Sequence, residues 1–340
     1  MQPDAPRVSV VMAAYNVAPF IAEAVHSALN QTFASLEMIV VDDGSSDGTP
    51  DIVSAIADSR LRLIRLPHGS ATIALNTGVA EARGEFLALL DGDDRWHPNK
   101  LEKHVAFLDA HPTVDLSFSW SRIVDEHGVD TGHRAKSWTG SISLSELLVD
   151  NVIANGSAVV LRTSAYHAVG AFDTSLGGCY DLDYWLRVAR LRPGNLCAIP
   201  EELTDYRRRP GQLTKDTRMM ERGWLALIVK MTTLEPERTA GLAGRSKVNL
   251  YRFLSYVNYE QGDMPEALRC LRLSIRHQPW RFVSDYRNWG LLAILGSTVL
   301  MPRRWHQGLV QRAIRYASRL RAKPLDSGRA LPVESPHVDP

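Results

Sequence analysis

The chain has 340 residues, 45% hydrophobic and 23% charged, a composition that suits a soluble globular protein and gives room for two domains. Its three cysteines (Cys179, Cys197, Cys270) are too few and too far apart for a disulfide framework or a zinc cluster, and they favour a reducing compartment. The net charge of +1 conceals a sorting of charge, because residues 1–264 carry 26 basic and 33 acidic side chains while residues 265–323 carry 12 and 2. The N-terminal residues lack the basic-then-apolar order of a signal peptide. The longest uncharged apolar run, Trp289 to Met301, has 13 residues, too short to span a bilayer.

The first ninety residues alternate between two periods. Arg7 to Tyr15 reads as a buried strand of the parallel type. Pro19 opens a helix in which Phe20, Ile21, Ala24, Val25, Ala28 and Leu29 recur at helical spacing. Leu36 to Val41 is a second strand, Pro50 starts a second helix, and Leu61 to Leu66 is a third strand. Gly69 to Ala82 reads as a helix started at glycine, and Phe86 to Leu90 as a central buried strand. This β-α-β-α-β-α-β order predicts a parallel sheet with helices on both faces.

Polar residues gather where these strands end, which is where open α/β sheets bind ligands. The second strand ends in Asp42 and Asp43, followed by Gly44, Ser45 and Ser46. Carboxylates there can accept from ribose hydroxyls or a base N–H, and small residues allow a base to approach; a plain polar loop explains the same residues. The central strand ends in Asp91, Asp93 and Asp94. Carboxylates packed this closely repel one another unless a cation offsets the charge, although an ordinary Asp-Gly turn also fits. A dinucleotide-binding enzyme is disfavoured, since no Gly-x-Gly-x-x-Gly follows the first strand, whose turn holds Tyr15, Asn16 and Val17.

Four segments, Val8 to Asn16, Ser27 to Phe33, Val40 to Thr49 and Leu89 to Asp94, resemble in order and spacing the successive signatures of the family 2 inverting glycosyltransferases. The resemblance covers about residues 7–215. It implies the GT-A nucleotide-diphospho-sugar transferase fold, with a mostly parallel sheet flanked by helices, and an Asp-x-Asp motif that holds Mn²⁺ or Mg²⁺ on a diphosphate. Carried over, Tyr15 stacks near the base, and Asp43 accepts from it with Asp42 in support. Asp91 approaches the ribose or a metal-bound water, and Asp93 binds the metal. Asn76 matches a nucleotide-side asparagine, but Leu75 stands where many members have arginine.

The next stretch is expected to face the acceptor. A helix carries Leu101, His104, Val105 and Leu108; His97 and His104 read as structural. Leu116 to Val124 alternates as a strand, Ser143 to Val149 as a short helix, and Asn155 to Leu161 as a strand returning to the core. Asn155 and Ser157 can line the acceptor side, and structural roles suit them equally. Gly177 and Gly178 then feed a helix whose first turn carries Asp181 and Asp183, where the helix N-terminus favours negative charge. By resemblance to the family's Glu-Asp-x-Asp-x-Trp-Leu-Arg element, Asp181 is the catalytic base and Tyr180 replaces the usual glutamate. An aspartate that only caps the helix is the alternative. Arg207, Arg208 and Arg209 follow a strand expected over Leu196 to Leu203. By the same resemblance they sit in a loop that closes over the diphosphate, with Arg209 in place of a histidine.

From about residue 219 the pattern turns helical. Tyr256, Tyr259, Gly262, Ala267, Leu271 and Pro279 resemble a single tetratricopeptide-like helix pair, too short to stack as a solenoid. Leu309, Ala313, Ile314 and Ala317 interleave with Arg312, Arg315 and Arg319 as in an interfacial amphipathic helix, and the Pro-rich tail is expected to be disordered.

The sequence is thus expected to hold a transferase domain over 1–218, a helical basic region over 219–323 and a disordered tail over 324–340. The activity implied is metal-dependent, inverting transfer of a sugar from a nucleoside-diphosphate sugar, a UDP-sugar being favoured, to a glycan or lipid-linked acceptor. Cell-surface polysaccharide or lipopolysaccharide assembly at the cytoplasmic side of a membrane is the expected setting. Residues 280–323 would meet an anionic membrane surface, and no nucleic acid partner is expected. A sugar-phosphate nucleotidyltransferase and a non-catalytic scaffold acting through its C-terminal helices are the other classes compatible with the pattern.

Overall fold

A ten-stranded sheet forms the centre of the computed structural model, which describes residues 5–135 and 138–300. Its first half follows the predicted alternation: β1 (Val8–Ala14), α1 (Ala18–Leu29), β2 (Leu36–Asp42), α2 (Thr49–Ser54), β3 (Leu61–Arg65), α3 (Ala71–Ala80) and β4 (Phe86–Leu89). Strands β3, β2, β1 and β4 lie side by side and parallel, so all four end on one edge. The predicted start of α3 at Gly69 moves to Ala71, because Ser70 Oγ accepts from Ile73 N at 3.3 Å and caps the helix.

The second half adds β5 (Arg95–Trp96), α4 (Lys100–Ala110), β6 (Leu116–Val124), β7 (Asp130–Arg134), β8 (Gly140–Ser141), α5 (Leu144–Val149), β9 (Val159–Arg162), α6 (Thr163–Val169), α7 (Tyr180–Leu191) and β10 (Leu196–Arg207). Strand β9 runs antiparallel between β4 and β6, and β10 runs parallel to β6, so the end of β10 returns to the edge where β1, β2 and β4 finish. Two of the elements expected in this half differ in extent. Residues 156–158 form a single 3-10 turn, so β9 begins only at Val159. Strand β10 runs four residues past Leu203, through irregular pairing with β6 near Glu202. Hydrophobicity misses this extension because Thr204, Asp205 and Arg207 are polar and yet buried.

Strand alternation sends successive side chains to opposite faces. Val8, Val10 and Met12 of β1 join Met38, Val40, Phe86 and Ala88 against Ile21, Val25 and Ala28 of α1 and Leu101, Val105 and Leu108 of α4. The other face places Val11, Leu87, Leu89, Phe118, Val159 and Leu161 against Leu75, Val79 and the α7 residues Leu182, Trp185 and Leu186. The chain then continues through α8 (Thr217–Leu234), α9 (Pro236–Thr239), α10 (Leu242–Glu260), α11 (Met264–His277), α12 (Pro279–Ser284) and α13 (Tyr286–Leu300).

Helices α8 and α10 do not stand apart from the sheet. Met220, Trp224, Leu227, Met231, Leu250 and Leu254 belong to the same apolar cluster as Trp185 and Leu186. Gly223 makes that packing close: a Cβ there would lie 2.4 Å from the Leu176 carbonyl, just before α7. The predicted helix pair is α10–α11, with Asp263 capping α11 through Glu266 N at 3.1 Å. The amphipathic helix expected near 309–319 and the tail 324–340 lie outside the described residues.

Candidate active site

The loops at the carboxyl edge are fastened to one another before they meet any ligand. Asn16, at φ +50°, accepts from Ser46 N at 2.9 Å and donates its own N–H to Ser45 Oγ at 2.9 Å. Asp47 accepts from Ala18 N at 3.0 Å and so satisfies an open donor at the start of α1. Asp43 is buried, with Oδ1 accepting from Gly69 N at 2.9 Å and Oδ2 3.1 Å from His68 Nδ1. The His68 ring stacks on Tyr15 at 4.1 Å between centroids. Gly44 permits this approach: it has φ +72°, and a Cβ there would lie 2.5 Å from His68 N. Asp42 is also buried, with Oδ1 accepting from Ser45 N at 3.3 Å and Oδ2 without a hydrogen-bond partner.

The second centre is the turn after β4. Asp91 N donates to Ser157 Oγ at 3.0 Å, and Asp94 N donates to Asp91 O at 3.1 Å. The Asp94 carboxylate accepts from Arg207 N at 2.9 Å through Oδ1, while its buried Oδ2 has no partner. Asp93 accepts from Arg209 Nε at 2.6 Å. Asp181, in the first turn of α7, lies close enough to Asp91 for its charge to act there. Burial pushes the Asp91 carboxyl up from its ordinary range, and the charges of Asp93 and then Asp181 push it further. Asp94 is raised by burial and by Asp93 and Asp91. Burial raises Asp181 to about 6. Tyr180 and Tyr206 close the same space: burial raises both hydroxyls, with Asp91 the next cause for Tyr180 and Asp94 for Tyr206.

The structure therefore gathers Tyr15, Asp42 and Asp43 in one place and Asp91, Asp93, Asp181 and Arg209 in another along the same edge. Two predicted residues, Asn76 and Asn155, are engaged elsewhere. Asn76 makes two bonds with the Phe172 backbone, at 3.0 and 2.9 Å, and ties α3 to the segment before α7. Leu75 is buried in the core beside it, as an apolar residue at that position requires. Asn155 is buried and donates to Ser121 Oγ at 3.0 Å.

The three arginines separate by strand period. Arg207 is 2% exposed and donates to Asp93 O at 2.7 Å, Glu126 O at 3.0 Å and Glu23 at 2.5 Å, which ties the acidic turn to α1. Arg208 points the other way, toward Glu260 at 3.3 Å. Only Arg209 reaches an acid of the site itself. Glu23, His68 and Tyr206 were not marked as binding residues by any motif, since each arrives through a contact far away in sequence, whereas Ser157, expected with Asn155 on the acceptor side, instead holds Asp91 N.

The donor set bears on a metal. No group of three or more His, Cys, Asp or Glu side chains able to hold an ion occurs among the described residues. Asp93, with Asp91 beside it, instead fits a cation that takes one or two carboxylates from the protein and its remaining oxygens from a diphosphate. The Arg209 guanidinium already places a positive charge on Asp93, and the carboxyls pushed upward at Asp91 and Asp94 mark a turn short of cations.

Residues 9–168 match the family described as Glycosyl transferase family 2. An uncharacterized protein of Mycobacterium tuberculosis is 33% identical over 207 residues, covering 59% of this chain and 58% of its own length. An uncharacterized glycosyltransferase of Rickettsia prowazekii is 30% identical over 192 residues, covering 55% of this chain and 59% of its own length. The chain thus spans somewhat over half the length of these relatives. Among solved structures, S. aureus TarS 1–349 in complex with UDP-GlcNAc superposes with a TM-score of 0.57 at 18% identity, over 92% of each chain. The mannosyltransferase PcManGT from Pyrobaculum calidifontis, in complex with GDP-Man and Mn²⁺, does so with a TM-score of 0.52 at 19% identity, over 93% of this chain and 86% of that one.

Proposed function

We propose that this chain, whose residues 9–168 belong to glycosyl transferase family 2 and whose fold is GT-A, is an inverting glycosyltransferase that moves a sugar from a nucleoside-diphosphate sugar to an acceptor hydroxyl. One observation carries the reading: Asp181, in the first turn of α7, lies close enough to Asp91 for its charge to act there, at the carboxyl edge of the parallel strands, and burial raises its own carboxyl to about 6. A base of that strength is largely ionised at neutral pH and still takes a proton readily.

In the reaction, the Asp181 carboxylate accepts the proton of the acceptor hydroxyl as its oxygen forms a bond to the anomeric carbon. The bond from that carbon to the diphosphate oxygen breaks on the opposite face, and the nucleoside diphosphate leaves with the electron pair. Tyr15 and Asp43 would seat the base of the donor, with Asp42 in support. Arg209, released from Asp93, would meet the departing charge. Mn²⁺ or Mg²⁺ held by Asp93 with the diphosphate would supply Lewis-acid neutralisation of the leaving group. UDP-GlcNAc and GDP-Man in the two similar structures support a nucleotide-sugar donor here, and a uridine nucleotide is the donor we favour. A glycan or lipid-linked acceptor, in surface polysaccharide or lipopolysaccharide assembly on the cytoplasmic side of a membrane, completes the proposal.

Thermal-shift measurements with UDP, GDP and dTDP, with and without Mn²⁺, test it, since a ligand that binds only the folded state raises Tm by mass action. A metal-dependent shift with one nucleotide, lost in Asp93→Ala, is the expected result. No shift with any nucleotide would overturn the reading.

A further inference from the structure

The last two described helices, α12 and α13, leave large apolar side chains exposed. On α12, Trp280 is 87% exposed, and Val283, one turn on and therefore on the same side, is 49% exposed. Trp289 of α13 is 54% exposed and lies against them, donating its indole N–H to Val283 O at 2.9 Å. Among the described side chains of α13 (residues 288–296) the exposed positions are Trp289, Gly290, Ala293 and Gly296, none of them polar. Leu291, Ile294 and Leu295 on its other side are buried. A helix facing only water would carry charge at those exposed positions.

Cations lie on the helix that leads into α12. Arg272 and Arg276 are exposed on α11, and Lys247 lies close enough to act with Arg276 in holding His277 below its ordinary pKa, after burial as the larger cause. Immediately beyond the described residues, 301–323 hold seven Lys or Arg and no Asp or Glu. No described helix is long and apolar enough to cross a membrane.

We propose that this face docks on an anionic lipid bilayer, with Trp280, Val283 and Trp289 in the headgroup–acyl boundary and the neighbouring arginines on lipid phosphates. Tryptophan suits that boundary because its ring is apolar and its N–H polar. Charge complementarity selects lipid as the occupant: a second copy would bring like charge with it, whereas an anionic surface attracts each nearby Lys or Arg. The surface is independent of the donor site and requires only that the helices fold as described.

The test is co-sedimentation of the full chain with vesicles of phosphatidylcholine alone or with about one-third phosphatidylglycerol. Binding to the anionic vesicles only, weakened by high salt, is expected. Trp280→Ser with Trp289→Ser should lower partitioning on the order of tenfold, and Arg272→Glu with Arg276→Glu should do likewise. An unchanged Tm in each variant shows that the fold is intact. Failure of the parent chain to sediment with anionic vesicles, or equal binding by the tryptophan variant, would overturn the proposal. So would a dimer in analytical ultracentrifugation that the same tryptophan substitutions dissolve without any effect on vesicle binding.

Discussion

Two sets of acids stand at the carboxyl edge of the sheet, and they are treated in opposite ways. Asp205, on β10, receives Arg95 Nε at 2.8 Å, Arg122 Nε at 2.7 Å and His97 Nε2 at 3.0 Å. Burial alone would raise its carboxyl, but these three donors outweigh burial and hold it far below the usual range. Asp91, Asp94 and Asp181 are raised instead, and Asp94 keeps a buried oxygen without a partner. Both sets come from strand ends and helix starts of one fold, so burial does not separate them. What separates them is whether the protein supplies the cation. Where it does, the acid is structural; where it withholds it, the acid remains available for a proton or a ligand.

The largest effect should come from the withheld set. Asp181→Asn keeps shape and removes the proposed base, and kcat should fall by about 10³-fold or more with little change in the Tm shift that nucleotide produces. A variant that retained activity would place the base elsewhere and break the comparison. The saturated set should respond in stability. Asp205→Asn leaves Arg95 and Arg122 short of their counter-charge and should cost about 3 kcal/mol in denaturant unfolding. Because Asp205 is depressed in the folded state, its contribution is complete above the ordinary carboxylate pKa and fades as pH falls below about 4.

A smaller and opposite pH effect is expected at Asp181. Its folded pKa of about 6 lies above the ordinary value of 3.8, so the folded state holds the extra proton and stability falls as pH rises between those values. Activity should do the reverse, rising through about pH 6 as the base ionises. Asp181→Asn should therefore be more stable than the parent at pH 8, by on the order of 1–2 kcal/mol after allowing for partial exposure, and equal to it near pH 3. Unfolding curves at the two pH values decide this.

Much of the scaffold could be read directly. The alternation from Val8 to Leu89 fixes a parallel sheet because each strand is apolar throughout and each helix repeats at 3.6 residues. The positions of Asp43, Asp93 and Asp181 in the fold were legible because they follow those strands or start a helix beside them, while their roles rest on the family resemblance. What stayed hidden depended on contacts between distant segments. His68 reaches Asp43 and Tyr15 only once the loop after β3 folds over β2, and Asn76 is drawn to Phe172, 96 residues away. The end of β10 was missed because its buried residues are polar, and with it went the distinction among three adjacent arginines.

That distinction gives the smallest predicted effect. If β10 continues to Arg207, side chains 207 and 209 leave the chain on one side and 208 on the other. The guanidinium groups agree: those of Arg207 and Arg209 lie 5.1 and 5.4 Å from the centre of the Phe20 ring, while Arg208 faces Glu260 on α10. The Arg208 side chain is 40% exposed and its pair with Glu260 spans 3.3 Å. Exposed pairs of this kind contribute about 0–1 kcal/mol, so Arg208→Ala should shift Tm by little and leave kcat within about twofold. Arg207→Ala, which strips the side-chain bonds to Asp93 O, Glu126 O and Glu23, should cost several times more in stability. Equal effects of the two substitutions would mean that the local charge, rather than the direction in which each side chain leaves the strand, governs this edge of the sheet.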